Sequence, residues 1–191
     1  MFLLLPMMTF AEQSSSPVPP VGTDSAVYQG TCVKLDAFMP VYEAARSAGR
    51  LQAYEVAVNI RLQNRFYPTL EGGFSFGEAR KDSLSDKIQG GFLRLGMDYN
   101  PLKKSRRSPH ALLIGLRVGT SLQTQVDAWG ELNVGCQVQI VKGLYMGWMA
   151  RMRLLFTNRN AQTGSLPIYI PGYGYRDNMA WGANYYIGWQ F

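Results

Sequence analysis

MAWGANYYIGWQF, residues 179–191, alternates between two kinds of side chain along the C-terminal end of the chain. Every second position is apolar or aromatic: Met179, Trp181, Ala183, Tyr185, Ile187, Trp189 and Phe191. The positions between them are smaller or more polar. Because successive side chains of a strand point to opposite faces, this period of two predicts a β-strand with one apolar face.

Seven further segments alternate in the same way, at residues 31–37, 54–62, 69–76, 92–99, 112–119, 131–140 and 144–156. In all eight segments one face carries no charged residue. The opposite face collects the cations Lys34, Arg61, Arg94, Arg117, Arg151 and Arg153 and the anions Asp36, Glu55, Glu71, Asp98 and Glu131. Since a confined charge must be paired, this near balance predicts that the charged face is enclosed.

If the charged face lines the interior of a closed sheet, the apolar face must lie on the outside. Exposure of this apolar surface is favourable in contact with lipid. The chain has no run of about twenty apolar residues that could form a spanning helix. We therefore predict an all-β fold, an eight-stranded antiparallel up-and-down transmembrane β-barrel with a filled polar lumen. Within it the eleven charged residues would form an ion-pair network that holds the barrel together, with a narrow ion-conducting path as the alternative.

The N-terminal residues predict export. Residues 1–11, MFLLLPMMTFA, combine a short apolar run with small residues suited to signal cleavage. Residues 12–28 contain the segment SSSPVPP and are interpreted as a linker. This leaves residues 29–191 for the barrel.

Connection lengths and aromatic positions indicate an orientation. The short connections are predicted at 63–66, 100–110 and 141–143, and the long ones at 40–53, 77–90, 122–128 and 157–178. Such barrels have short periplasmic turns, so both termini are expected to be periplasmic. Aromatic residues lie at both strand ends, as in the girdles of membrane barrels: Tyr54, Phe76, Phe156 and Trp181 at the outer ends, Tyr99, Trp189 and Phe191 at the inner ends.

With these features the chain resembles the small eight-stranded outer-membrane barrels of Gram-negative bacteria, the OmpA and OmpX class. The most specific match is the C-terminal strand, where Tyr185, Ile187, Trp189 and Phe191 resemble the signal read by the barrel-assembly machinery. The resemblance implies an outer-membrane location in the cell envelope. It also implies two partners, outer-membrane lipid and the assembly machinery.

The sequence favours a structural, adhesive or surface-interaction role over catalysis. Acid-base and nucleophilic chemistry in small barrels generally uses a His near the outer rim, but His110, the single His, falls at a predicted periplasmic turn. Asp127 and Glu131 lie near the outer end of one strand, without a sign that they form a catalytic pair. No cofactor or metal motif is found. The alternative is a soluble exported lipocalin-like barrel that binds a small apolar ligand.

Other residues restrict the partners. The run 103–107, KKSRR, accounts for most of the net charge of +6, and one short run between strands does not predict nucleic-acid binding. Loop 157–178 is rich in Tyr, Pro and Gly, which predicts either a surface for an extracellular partner or a loop whose tyrosines close the barrel mouth. Cys32 and Cys136 fall on opposite strand faces, which predicts two free thiols.

Overall fold

The computed structural model describes residues 27–63, 65–81, 84–102, 110–122, 127–156, 169–170, 174–175 and 178–191. Several predicted features lie outside these residues. They are the signal segment 1–11, the linker up to residue 26, the basic run 103–107 and most of loop 157–178.

Eight strands form one closed antiparallel barrel, in the order β1-β10-β7-β6-β5-β4-β3-β2. The elements in chain order are β1 (Tyr28–Asp36), α1 (Phe38–Arg46), β2 (Leu51–Leu62), β3 (Phe66–Lys81), β4 (Leu84–Tyr99), β5 (Ala111–Leu122), β6 (Ala128–Val141), β7 (Leu144–Leu155), β8 (Tyr169–Ile170), β9 (Gly174–Tyr175) and β10 (Met179–Gln190). The short strands β8 and β9 pair only with each other. The prediction of an all-β, eight-stranded, up-and-down barrel is confirmed.

The stretch at residues 179–191 supplies the strand that closes the barrel. β10 pairs with β1 in a register that sets Trp189 opposite Val33 and Ile187 opposite Leu35. Beyond the strand, the N–H of Phe191 donates to the carbonyl of Thr31 at 2.9 Å. Closure removes the free strand edges that an open sheet would expose.

The start of β1 and Phe191 lie at the same end of the barrel, called here the terminal end. The strand ends that are joined by the connections 63–65, 100–110 and 142–143 lie there too, and the opposite end is called the distal end. The β6–β7 connection is a two-residue turn in which Gly143 has a φ of +87°, a conformation that glycine adopts without steric cost. The carbonyl of Gly143 accepts a hydrogen bond from the N–H of Gln190 at 2.8 Å.

Two distal connections differ from the prediction of loops at 40–53 and 77–90. The first contains helix α1, Phe38–Arg46. In the second, β3 continues to Lys81 and β4 begins at Leu84, paired in register through Glu78 and Lys87. Both faces of this extension carry polar residues, so apolar and polar residues no longer alternate there. The sequence pattern therefore predicted a loop where the two strands in fact remain paired.

The eight barrel strands alternate between buried and exposed side chains along their described lengths. Cys32 is buried inside, whereas Cys136 lies on the outer face, and both are free thiols, as predicted. None of the helices in the described ranges is long and apolar enough to cross a membrane.

Candidate functional site in the barrel interior

Seven charged side chains from six strands meet in the barrel interior, and all are buried. We call this group the central cluster: Arg94 and Asp98 from β4, Arg117 from β5, Arg151 from β7, Glu55 from β2, Glu71 from β3 and Glu131 from β6. These strands bring the residues together because all seven side chains occupy inward positions.

Glu71 lies at the centre of the cluster and contacts three arginines. Its Oε1 atom is 2.5 Å from Nη1 of Arg117, and its Oε2 atom is 3.3 Å from Nε of Arg94 and 3.4 Å from Nη2 of Arg151. A buried carboxylate is costly unless it is paired and hydrogen-bonded. Three guanidinium groups pair the charge of Glu71, and Arg117 and Arg151 donate hydrogen bonds to its Oε1 atom. These contacts join β3 to β4, β5 and β7.

Glu55 and Asp98 extend the cluster to either side. Oε1 of Glu55 is 2.7 Å from Nη2 of Arg151, and its Oε2 atom contacts Nη2 of Arg94. Nη2 of Arg117 is 2.8 Å from Oδ2 of Asp98. The pairs of Glu55 join strands that are not neighbours, β2 with β7 and β2 with β4, so they cross-link the barrel wall through its interior, whereas the Arg117–Asp98 pair joins the adjacent strands β5 and β4.

The carboxylate of Glu131 contacts both an arginine and a tryptophan side chain. Nη1 of Arg94 is 3.4 Å from Oε2 of Glu131, and Nε1–H of Trp129 donates to Oε1 at 2.6 Å. The guanidinium of Arg94 also lies over the ring of Phe92, 4.3 Å from its centroid. Trp129 was not among the predicted interior residues because the predicted strand segment began at residue 131. It lies two residues before Glu131, so the same period of two, extended to residue 129, places its side chain inside the barrel.

Lys34 and Asp36 belong to the interior but make different contacts. The Nζ atom of Lys34 lies 4.3 Å from the centroid of the Tyr186 ring. Asp36 accepts a hydrogen bond from the side-chain amide of Asn184, and its Oδ1 accepts the N–H of Phe38 at 2.8 Å. Asp36 therefore links the interior to the start of α1.

The remaining two predicted interior cations lie along the same inward face. Arg153 is fully buried on β7, one inward position beyond Arg151 toward the distal end. Arg61 is half-buried near the terminal end of β2.

Inward glycines make room for the large interior side chains. A Cβ atom on Gly96, Gly115, Gly119, Gly147 or Gly188 would collide with, respectively, Arg117, Asp98, Trp129, Tyr186 or Lys34. Each of these residues lies next to its glycine across a strand pair. The single glycines within the strands therefore belong to the packing of the interior.

Apolar side chains pack on both sides of the central cluster. Toward the terminal end they are Tyr67, Ala111, Leu113, Met149 and Tyr186, and toward the distal end Phe92 and Trp129. A cavity of about 20 Å³ lies beside the cluster, lined in part by Lys34, Asp36 and Asn184. Such a volume has room for about one water molecule, so this part of the lumen is packed rather than open.

The outer face of the described barrel strands forms an uncharged, mostly apolar band around the barrel. On the described barrel strands, outward positions within 33–35, 54–62, 66–76, 91–99, 112–122, 128–140, 144–154 and 179–189 carry no charged side chain. We call this surface the apolar belt. Aromatic pairs lie near both of its edges: Tyr54 stacks with Phe76 at a centroid distance of 6.3 Å, and Phe66 lies 5.6 Å from Tyr99.

The predicted assembly-signal side chains all lie on this outer face. They are Tyr185, Ile187, Trp189 and Phe191, all exposed. Trp189 packs over the turn, since a Cβ atom on Gly143 would be 2.9 Å from its ring. Tyr185 and Trp148 lie opposite each other in the middle of the belt, so aromatics are not confined to its edges.

His110 and Asp127, two residues considered for chemistry, lie at opposite ends of the barrel. His110 is exposed at the terminal end, directly before β5. Asp127 is buried near the distal end, where its N–H donates to Oγ of Ser121 at 2.8 Å. Over the described ranges, no group of three or more His, Cys, Asp and Glu residues could hold a metal ion.

Comparison with known proteins gives one family. The model of a family described as a domain of unknown function, DUF6048, matches residues 1–127 and 122–191, which together span the chain. No curated protein and no solved structure matches the chain.

Proposed function

This chain belongs to the DUF6048 family, and we propose that it is an integral outer-membrane β-barrel protein of the OmpA and OmpX kind. Its proposed role is structural, adhesive or in surface interaction, without catalysis. The observation that carries this proposal is the reversed distribution of apolar and charged side chains between the two faces of the barrel wall.

Leu116 and Arg117 illustrate the reversal. The side chain of Leu116 is 69% exposed on the outer face, whereas the next residue, Arg117, is 3% exposed inside. In water, exposed apolar area and buried charge both cost free energy. In a bilayer, lipid covers the apolar belt, and enclosure of the charges keeps them away from hydrocarbon.

The dimensions of the belt fit a bilayer. Trp181 and Trp189 lie on the outer face of β10, eight residues apart. This spacing corresponds to about 26 Å along a strand and about 20 Å along the membrane normal for a tilt near 40°. A transmembrane barrel needs an apolar band of about 25 Å.

The interior supports a structural role over conduction or ligand binding. The cavity beside the central cluster has a volume of about 20 Å³, which is too small for a solute to pass at that level of the lumen. A lipocalin-like binder would need an apolar lumen, but this lumen contains Arg94, Arg117 and Arg151. The ion pairs therefore fit a role in holding the wall together.

Orientation and partners complete the proposal. The terminal end faces the periplasm, as expected for an end with short turns. Outer-membrane lipid surrounds the apolar belt, and the assembly machinery reads the C-terminal strand. Loop 157–178, which joins the distal ends of β7 and β10 along the chain, is the proposed surface for an extracellular partner.

A heat-modifiability gel tests the proposal. Membranes from cells that express the full chain are extracted with detergent, and the extract is run on a gel with and without boiling. We expect the protein in the membrane fraction, with a shift in mobility on boiling. Recovery in the soluble periplasmic fraction without a shift would refute the proposal.

A further inference from the structure

Helix α1 occupies a position in the barrel wall that a strand would otherwise fill. β1 pairs with β2 as far as Leu35, opposite Val56, and with β10 as far as Asp36. Both neighbours continue toward the distal end, β2 to Leu51 and β10 to Met179. α1 packs against both of them there. The distal part of the wall between β2 and β10 is therefore helical.

Hydrogen bonds at its two ends orient α1 along the wall. At the start, the N–H of Ala37 donates to the carbonyl of Tyr185 at 2.8 Å. After the end, Oγ of Ser47 accepts the N–H of Leu51 at 2.8 Å, at the distal end of β2. Nine helical residues rise about 13 Å, comparable to the about 17 Å of strand from Val56 to Leu51. The helix thus runs beside the strands rather than across the mouth.

The helix presents its apolar side outward and a carboxylate inward. Phe38, Val41, Tyr42 and Ala45, at spacing i, i+3, i+4 and i+7, are all exposed, and we call them the α1 stripe. Glu43 is only 1% exposed on the opposite side. The rings of Phe38 and Tyr42 stack at a centroid distance of 5.3 Å, which makes the stripe a continuous apolar surface. This reversal matches that of the strands.

The α1 stripe continues the apolar belt, because the described outward residues of β2 and β10 on either side of it are uncharged. On one side β2 presents Tyr54, 49% exposed, and on the other β10 presents Trp181, 67% exposed. Both are outward aromatics near the distal edge of the belt. A helix also satisfies its own backbone hydrogen bonds, which hydrocarbon requires of any surface it contacts.

We propose that α1 is part of the membrane-facing wall and that its stripe contacts the acyl chains of the distal leaflet. This inference rests on the proposed membrane location of the barrel. It extends the lipid interface from strands to a helix and places the distal membrane boundary near the end of α1.

Spin-label accessibility tests the inference on the full chain. In a background with Cys32→Ala and Cys136→Ala, single cysteines are introduced as Val41→Cys, Leu116→Cys and Lys142→Cys and labelled. The proteins are reconstituted in dioleoylphosphatidylcholine vesicles, and collision with oxygen is compared with collision with a water-soluble nickel chelate. Only variants that retain the heat-dependent gel shift are used, and Tyr42→Cys is measured as a second position on the stripe.

The controls separate the two proposals. We expect labels at Val41 and Leu116 to favour oxygen and the label at Lys142, in a turn, to favour nickel. Nickel access at positions 41 and 42 with oxygen access at 116 would overturn the role of α1 and leave the membrane barrel intact. Shielding of 41 and 42 from both reagents would also overturn it, because protein would then cover the stripe. Nickel access at 116 would refute the membrane location itself.

Discussion

Arg117 lies over Gly96 inside the barrel, so that a Cβ atom built on the glycine would be 2.5 Å from Cγ of the arginine. The two residues are directly opposite each other on β5 and β4. The space above Gly96 lets Arg117 extend over β4 and reach Glu71 on β3. An interior glycine and an interior ion pair are thus parts of one arrangement.

Replacement of this glycine should weaken the barrel. In Gly96→Ala the new methyl group would collide with the backbone carbonyl oxygen of Leu116 and with Cγ of Arg117, which would displace Arg117 and strain its contact with Glu71, at an expected cost of about 1–3 kcal/mol. The measurement is the urea midpoint for unfolding of the reconstituted protein. Gly72→Ala is the matched control, because a Cβ atom on this outward glycine would have its nearest neighbour at 3.8 Å. Equal midpoints for the two variants would contradict the packing argument.

Loss of charge at Glu71 should be more costly. Glu71→Gln keeps the shape of the side chain but leaves Arg94, Arg117 and Arg151 with one fewer carboxylate, and a broken buried pair costs about 3–5 kcal/mol. Glu78→Gln, on the exposed extension of the same strand, is the control and should change the unfolding free energy little. If both variants unfold alike in urea, the central cluster does not stabilise the barrel.

The sequence was sufficient to predict the barrel strands and their faces. Leu116 and Arg117 show why. Successive side chains of a strand point to opposite faces, and this alternation does not depend on which strands lie beside it. The identity of the ion-pair partners was beyond this reasoning. Arg151 meets Glu55 across the interior, 96 residues away in the chain, and that contact depends on the register and curvature of six strands.

Helix α1 was missed because only a period of two was applied to residues 38–46. The signal was present, since Phe38, Val41, Tyr42 and Ala45 follow helical spacing. Asp36, which accepts the N–H of Phe38, also resembles a residue that begins a helix. Asp36 was assigned only to the interior charges, so its contact with the start of α1 was not predicted.

The terminal aromatic should matter for assembly more than for the folded barrel. The side chain of Phe191 is 76% exposed, and its backbone carries the hydrogen bonds to Thr31. Phe191→Ala keeps those bonds, so the free energy of unfolding of the refolded protein, measured in urea, should change by less than about 1 kcal/mol. We expect a severalfold lower yield of heat-modifiable barrel in cells. Phe156→Ala, an exposed aromatic at the distal end, is the control, and equal yields from both variants would remove the assembly role.

A charge on the outer face distinguishes lipid from water as the surroundings of the barrel. Leu116 lies in the middle of the apolar belt, so Leu116→Arg should cost about 2–4 kcal/mol if the position faces the bilayer midplane, whereas Arg near the interface costs at most about 1 kcal/mol. Val141→Arg, at an exposed position near the terminal end, is the matched control. The free energy of folding from urea into phosphatidylcholine vesicles measures both variants. In a soluble barrel an exposed arginine at position 116 would be nearly neutral, so equal folding free energies would show that water surrounds the belt.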